Sequence, residues 1–221
     1  MEYSKEEVSK IIDHTFLKPD GSLDDITQLC EEAKKYSFAS VAIAPDFVQY
    51  AARELQETEI KIDVAIGFPL GYTTTRTKIF ETREAIINGA TEVDMVVNIS
   101  AVKDQKWNKV KEEIKSVAEI TGDYIFKVIF ETCYLDNKEI KKLGEICLKI
   151  NGVDYIKTST GFGPAGATVP HVQLMNEIAG DSLKVKAAGG IRTFKDLQKM
   201  INAGADRIGT SSGVAIMNEI E

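Results

Sequence analysis

The chain has 221 residues, 43% hydrophobic and 28% charged. That is an ordinary globular composition, long enough to bury a core without disulfide staples. Lys and Arg number 27 against 34 Asp and Glu, a formal charge of −7, which argues against a nucleic-acid partner but leaves room for a small basic pocket. No apolar run approaches the roughly 18 residues of a membrane-spanning helix, so no membrane partner is expected. The opening segment MEYSKEEVSK has no apolar stretch of the kind a secretory signal needs. Cys30, Cys133 and Cys147 form no CxxC pair and there are only 2 histidines, so neither a disulfide framework nor a zinc site is expected. These features predict a reducing, cytoplasmic compartment.

In chain order, Ser4 and Glu7 have capping-box spacing and predict a short N-terminal helix. Asp13–Phe16 supplies a first strand. Further strands are predicted at Phe38–Ile43, Lys61–Ile66, Glu92–Val97, Tyr124–Phe130, Val153–Lys157, Leu183–Ala188 and Arg207–Gly209. Amphipathic helical patterns lie between them, such as Val110, Ile114 and Val117. Pro45 suits the first turn of a helix. Asp136 with Glu139 repeats the capping-box spacing, and Thr193 with Asp196 is a weaker acidic version.

A weak internal repeat orders these elements. Gly89, Gly152 and Gly204 each precede an apolar strand that reaches Asp94, Lys157 and Gly209 in turn. A degenerate copy has Ser37 in the glycine position and leads to Ala42. A glycine there suits a left-handed helix C-cap. The four copies are spaced 52, 63 and 52 residues apart, with one further strand inside each step. Each step therefore holds two βα units of about 26 to 31 residues. Eight such units predict one domain over residues 1–221, a (β/α)8 TIM barrel of the α/β class with a short N-terminal helix. An open doubly wound sheet is the alternative.

In a TIM barrel the active site lies at the C-terminal ends of the strands. The residues expected there are Asp13, Asp94, Lys127, Lys157 and Lys186. A single lysine at a strand end commonly snorkels into water. Three converging on one mouth point instead to amine chemistry. A lysine attacks a carbonyl only when neutral, and at its reference pKa roughly one in a few thousand is neutral at pH 7. Burial and a neighbouring ammonium both lower that pKa. Lys157 and Lys186, on adjacent strands, are the pair placed to do this, with Asp94 and Asp13 as carboxylates for proton transfer.

The loops after strands 7 and 8, Ala188-Gly189-Gly190-Ile191-Arg192 and Gly209-Thr210-Ser211-Ser212-Gly213, occupy the usual phosphate position of this fold. Gly161-Phe162-Gly163-Pro164-Ala165-Gly166 fits the dinucleotide pattern GxGxxG. However, Pro164 interrupts it, and Lys157-Thr158-Ser159-Thr160 separates it from the apolar strand core. A glycine-rich lid over the barrel mouth is the better reading. His14 reads as a satisfied core histidine.

Several segments together resemble the deoxyribose-phosphate aldolase family: Asp13-His14-Thr15, Asp94-Met95-Val96-Val97-Asn98, Lys127-Val128-Ile129-Phe130-Glu131-Thr132, Lys157-Thr158-Ser159-Thr160-Gly161-Phe162 and Lys186-Ala187-Ala188-Gly189-Gly190-Ile191-Arg192-Thr193. The resemblance runs in order from residue 13 to Gly213. It implies a class I aldolase on a TIM barrel, independent of metal and of any cofactor. Its small-molecule substrates would be 2-deoxy-D-ribose 5-phosphate, D-glyceraldehyde 3-phosphate and acetaldehyde. Lys157 matches the family's Schiff-base lysine, Lys186 the second lysine that perturbs it, and Asp94 the carboxylate of proton transfer. Asp13, Lys127, Thr158 and Gly161 fall among the substrate-binding positions. Gly189, Gly190, Arg192, Ser211 and Ser212 fall in the phosphate loops. Ala42 stands where some members carry cysteine, and Phe162 where some carry lysine. The resemblance then implies phosphate contacts from backbone N–H groups and Arg192.

Two other functions fit a phosphate-binding barrel. An FMN-dependent oxidoreductase would purify yellow. A sugar-phosphate sensor would bind without turnover, but needs no neutral amine. Barrel exteriors often self-associate, so a homo-oligomer is compatible with the sequence, although no stripe on the helices singles out an interface.

Overall fold

The computed structural model describes residues 3–220. Eight parallel strands close into a barrel in sequence order. They are β1 (Ile12–Phe16), β2 (Ser40–Ile43), β3 (Lys61–Ile66), β4 (Glu92–Val96), β5 (Ile125–Ile129), β6 (Tyr155–Lys157), β7 (Lys184–Ala188) and β8 (Arg207–Thr210). The last strand closes onto the first, pairing Ile208 with Ile12 and Gly209 with Asp13. The outer helices are α1 (Lys5–Ser9), α2 (Leu23–Tyr36), α3 (Val48–Glu54), α4 (Thr75–Ile87), α5 (Ile99–Lys103), α6 (Trp107–Thr121), α7 (Asn137–Cys147), α8 (Val169–Ala179), α9 (Phe194–Asn202) and α10 (Gly213–Asn218). The barrel is therefore closed, and the open-sheet alternative is excluded.

The local signals act as the sequence suggests. Ser4 with Glu7 and Asp136 with Glu139 form reciprocal capping boxes, and a third is made by Ser22 with Asp25. Thr193 caps α9 by accepting from the Asp196 amide. Pro45 opens a short 3-10 turn ahead of α3. The repeat glycines Gly89, Gly152 and Gly204 have φ of 111°, 90° and 102°. Ser37, in the equivalent place, takes the left-handed conformation at φ 55° and ψ 45°. β2 starts at Ser40 rather than Phe38 because the Phe38 amide donates back to Ala33 O, closing α2. The helix end thus takes the residue that an apolar run assigns to the strand.

Burial divides by parity. In β3, Ile62, Val64 and Ile66 join the apolar core between barrel and helices. In β4 Val93 and Met95 do so, and in β5 Phe126 and Val128. The alternate residues face the barrel axis. Branched apolar side chains usually fill that space. Here it carries charge: Asp13, Asp63, Glu92, Asp94, Lys127 and Lys186, each at most 2% exposed.

A second buried ion pair lies outside the barrel. Lys78 of α4 is fully enclosed, and its Nζ donates to Val96 O at 2.7 Å and to Glu113 Oε1 of α6 at 2.9 Å. The same Glu113 oxygen accepts the Asn98 amide at 2.9 Å. Gly67 leaves space for the lysine stem, since a Cβ there would fall 2.8 Å from Lys78 Cε. The pair thereby fixes the loops after β3 and β4. Removing one member of a buried pair strands the other charge. Glu113→Ala is expected to lower stability by about 3–5 kcal/mol, read as a lower urea midpoint with an unchanged m-value.

Candidate active site

The axial charges form a connected stack. At its base, Arg207 Nη2 lies 2.6 Å from Asp13 Oδ1 and 3.1 Å from Glu92 Oε1. Ser40 Oγ also donates to Asp13 Oδ1, at 2.6 Å. Above them, Lys127 Nζ is paired with Glu92 at 2.5 Å, Asp94 Oδ1 at 3.0 Å and Asp63 Oδ1 at 3.2 Å. Lys186 Nζ is held by Asp13 Oδ2 at 2.6 Å, Asp63 Oδ2 at 2.6 Å and Asp94 Oδ2 at 2.7 Å. At the top, Lys157 Nζ donates to Asp94 Oδ2 at 2.5 Å. Asp94 thus gathers all three lysines, and Lys157 and Lys186 share one of its oxygens.

The environments separate the two amines. Burial pulls Lys186 down, but Asp13, Asp63 and Asp94 outweigh it, and its pKa stands well above the usual lysine value. The carboxylates therefore favour the ammonium form of Lys186. Burial lowers the Lys157 pKa, and Lys186 pushes the same way against the opposing pull of Asp94. Asp94 would rise on burial, yet Lys127, Lys157 and Lys186 hold it well below the usual carboxylate range. One lysine is therefore biased toward the neutral amine beside a fixed cation and a fixed anion, an arrangement suited to nucleophilic attack on a carbonyl.

Lys157 opens into a cavity of about 230 Å³ at the C-terminal end of the barrel. Gly189, Gly190, Arg192 and Ser211 form one wall, and Thr160, Gly161 and Phe162 another. Thr15 to Lys18, after β1, complete it. Lys18 and this β1 loop carry no sequence signal for a site.

Several expected positions fall elsewhere. Asp13 and Lys127 are fully buried within the stack and do not line the cavity. They sit at the second residue of β1 and the third of β5, too deep to reach the mouth. The three lysines converge on Asp94, and among them only Lys157 reaches the cavity. Thr158 points away from the axis: its Oγ1 donates to Ala188 O and accepts the Ala188 amide, tying β6 to β7. Ser212, one residue past the wall, donates its amide to Thr210 Oγ1 at the start of α10.

The glycine-rich segment makes no dinucleotide turn, because α8 begins only at Val169. It packs onto the β7 loop instead. A Cβ at Gly166 would lie 2.1 Å from Gly189 O, and the Ala167 amide donates to Ala188 O and Gly189 O. The expected lid is therefore pinned at its far end by backbone contact. At its near end Glu131, itself at φ 55°, accepts from the Thr160 amide and hydroxyl. His14 is a core histidine, 3% exposed, with Nε2 2.7 Å from Glu32 and its ring against Phe38.

Asp63, Glu92 and Arg207 were not among the expected site residues. Each has the signal used for Lys127: a charged residue on the inward parity of a predicted strand. Asp63 stands two before Ala65, and Glu92 two before Asp94.

Fold and charge cluster together define a (β/α)8-barrel enzyme. The family model described as DeoC/LacD family aldolase matches residues 8–219, and the chain belongs to that family. It is 52% identical over 212 residues to the deoxyribose-phosphate aldolase of Dictyoglomus turgidum, covering 96% of each chain. It is 48% identical over 213 residues to that of Staphylococcus carnosus, again covering 96% of each. Among solved structures, it is similar to the tetrameric deoxyribose phosphate aldolase of Aeropyrum pernix, with a TM-score of 0.91, 30% identity and coverage of 98% of this chain and 92% of that one. The aldolase QR15 gives a TM-score of 0.91 at 43% identity, with 96% and 95% covered.

Proposed function

We propose that this single-domain barrel cleaves 2-deoxy-D-ribose 5-phosphate reversibly to D-glyceraldehyde 3-phosphate and acetaldehyde, through a Schiff base on Lys157. The observation that carries this reading is one buried amine, biased toward neutrality, at the floor of a cavity walled by two glycine-rich loops. Lys157 attacks the aldehyde carbon of the open-chain sugar to give a carbinolamine, and loss of water leaves an iminium. The cationic nitrogen draws electrons as the C3 hydroxyl loses its proton and the C2–C3 bond breaks. Glyceraldehyde 3-phosphate leaves, the enamine is protonated at carbon, and water releases acetaldehyde. Asp94 stands beside the reacting nitrogen and takes part in the proton transfers, with Lys186 behind it.

The phosphate lies against Gly189, Gly190 and Ser211, where backbone N–H groups can approach an anion closely, with Arg192 adding charge. Arg192→Ala should raise KM for the phosphorylated sugar about 10-fold, matching a charge-assisted hydrogen bond weakened by solvent. KM for unphosphorylated 2-deoxyribose should be unaffected; an equal rise for both sugars would remove Arg192 from the phosphate site. The overall reading is tested by supplying 2-deoxy-D-ribose 5-phosphate to the purified protein. Acetaldehyde should appear, and borohydride should fix an adduct on the peptide containing Lys157. Binding without either product would favour the sensor.

The exposed Phe80 and Ile87 of α4, set among the exposed Arg83 and Glu84, are candidate contacts for self-association, and a homo-oligomer is proposed. No helix among the described residues is long and apolar enough to cross a membrane. The formal charge of −7 and three cysteines without a CxxC spacing support cytoplasmic work on small metabolites.

A further inference from the structure

Asp63 does not line the cavity. It is 1% exposed, on β3, with Ala42 beside it in register on β2. Its Oδ2 lies 2.6 Å from Lys186 Nζ and its Oδ1 3.2 Å from Lys127 Nζ. The charged groups around it come from the other strands: Asp13 on β1, Glu92 and Asp94 on β4, Lys127 on β5, Lys157 on β6, Lys186 on β7 and Arg207 on β8.

These charges impose a constraint. Asp13, Asp63, Glu92 and Asp94 are carboxylates, while Lys127, Lys186 and Arg207 are cations whose pKa values all stand raised. With Lys157 as an ammonium the stack is neutral. With Lys157 as the free amine it carries one uncompensated negative charge in a desolvated interior, which is costly. The contacts also form an unbroken chain from Lys157 to Asp94 Oδ2, to Lys186 and to Asp63 Oδ2, with steps of 2.5, 2.7 and 2.6 Å.

We infer that Asp63 is a positioning residue that holds, inside the barrel, the proton Lys157 must release to become a nucleophile. Lys157 gives a proton to Asp94, and Lys186 takes it while passing one of its own to Asp63. The result is a neutral amine, a neutral Asp63 carboxylic acid and an unchanged Lys186 ammonium. The stack keeps its net charge. On addition of an aldehyde the step reverses: the Asp63 proton returns along the chain and leaves with the carbinolamine hydroxyl as water. The iminium then takes the place of the lost ammonium, opposite an ionised Asp63. The poise of Asp63 suits this role. Burial first, then repulsion from Asp94, push it to about 6 against the pull of Lys127 and Lys186.

This inference rests on Lys157 being the Schiff-base residue, and the experiment separates the two. Borohydride-trapped acetaldehyde adduct is measured against pH for the wild type and for Asp63→Asn, which keeps the shape but cannot take the proton. With one negative charge removed, the stack is neutral only when Lys157 is the free amine. The acid limb of imine formation should therefore move down by roughly one pH unit. The fraction held as iminium near neutral pH should fall several-fold, because the iminium now leaves the stack positive. Asp63→Glu should restore the wild-type profile. An aspartate that acted only as a fixed charge would also move the limb, but would give no carboxylic-acid band in the unliganded wild type.

In the wild type alone, infrared difference spectra at about pH 6, where burial poises Asp63, should show a carboxylic-acid carbonyl band that bleaches when acetaldehyde binds and shifts with ¹³C-aspartate. That measurement stands even if Asp63→Asn does not fold. An adduct on Lys157 with no such band, or with an unmoved limb in a folded Asp63→Asn, overturns the role of Asp63 alone. Absence of any adduct in the wild type overturns the Schiff-base reading itself.

Discussion

Lys157→Leu should abolish the borohydride-trapped adduct and lower kcat on the order of 10⁴-fold or more, the scale seen when a nucleophile is deleted from a group that acts as a unit. The reason is positional as well as chemical. Among the three lysines around Asp94, only Lys157 reaches the cavity. Lys127 and Lys186 are fully enclosed and held as ammonium ions by carboxylates, so neither can substitute as the nucleophile. Some stability should be lost, because without the Lys157 ammonium the enclosed charges are one cation short, although Asp94 keeps two other cations. Far-ultraviolet circular dichroism and the urea midpoint check that the variant is folded. Adduct retained at the wild-type level, mapped to another peptide, would move the nucleophile elsewhere.

The barrel was legible because its signals are local and repeated. Gly89, Gly152 and Gly204 mark helix ends, and apolar runs after them mark strands; these depend on backbone conformation and desolvation at each point in the chain. The place of Lys157 at the cavity was legible for a similar reason, as a charged residue ending an apolar strand beside a glycine-rich loop. Depth was not legible. Asp13 and Lys157 both read as strand-end residues, but Asp13 enters its strand at the second position while Lys157 is the last residue of a three-residue strand. How far a side chain stands from the mouth is set by the stagger between neighbouring strands, and that is a property of the closed barrel. The same limit hid Asp63. Its parity was readable, but its partners lie at Lys127 and Lys186, more than sixty residues on. Thr158 shows the converse: it sits inside a recognisable motif, yet alternation turns it outward to bind Ala188.

Lys186→Leu should move the acid limb of imine formation to higher pH, by roughly 1–3 units, the range expected for loss of one close charge. The sign follows from the stack. Lys186 disfavours the charged form of Lys157 and lowers its pKa. Without Lys186, four carboxylates face Lys127, Arg207 and Lys157, and an ammonium at Lys157 becomes the best remaining compensation. The amine then stays protonated to higher pH, and attack on the carbonyl waits for it. Folding should also weaken by about 3–5 kcal/mol, because Asp13, Asp63 and Asp94 lose a shared partner in a dry interior. Trapping rates from pH 6 to 10 on protein shown to be folded separate the two effects: instability scales the whole curve, whereas a change of charge displaces it. A limb that stays in place would mean that Lys186 does not set the Lys157 amine. Adding Asp63→Asn to Lys186→Leu supplies the opposite change, one negative charge fewer for one positive charge lost, and should bring the limb back toward the wild-type pH. That compensation would not occur if either side chain acted only by filling space.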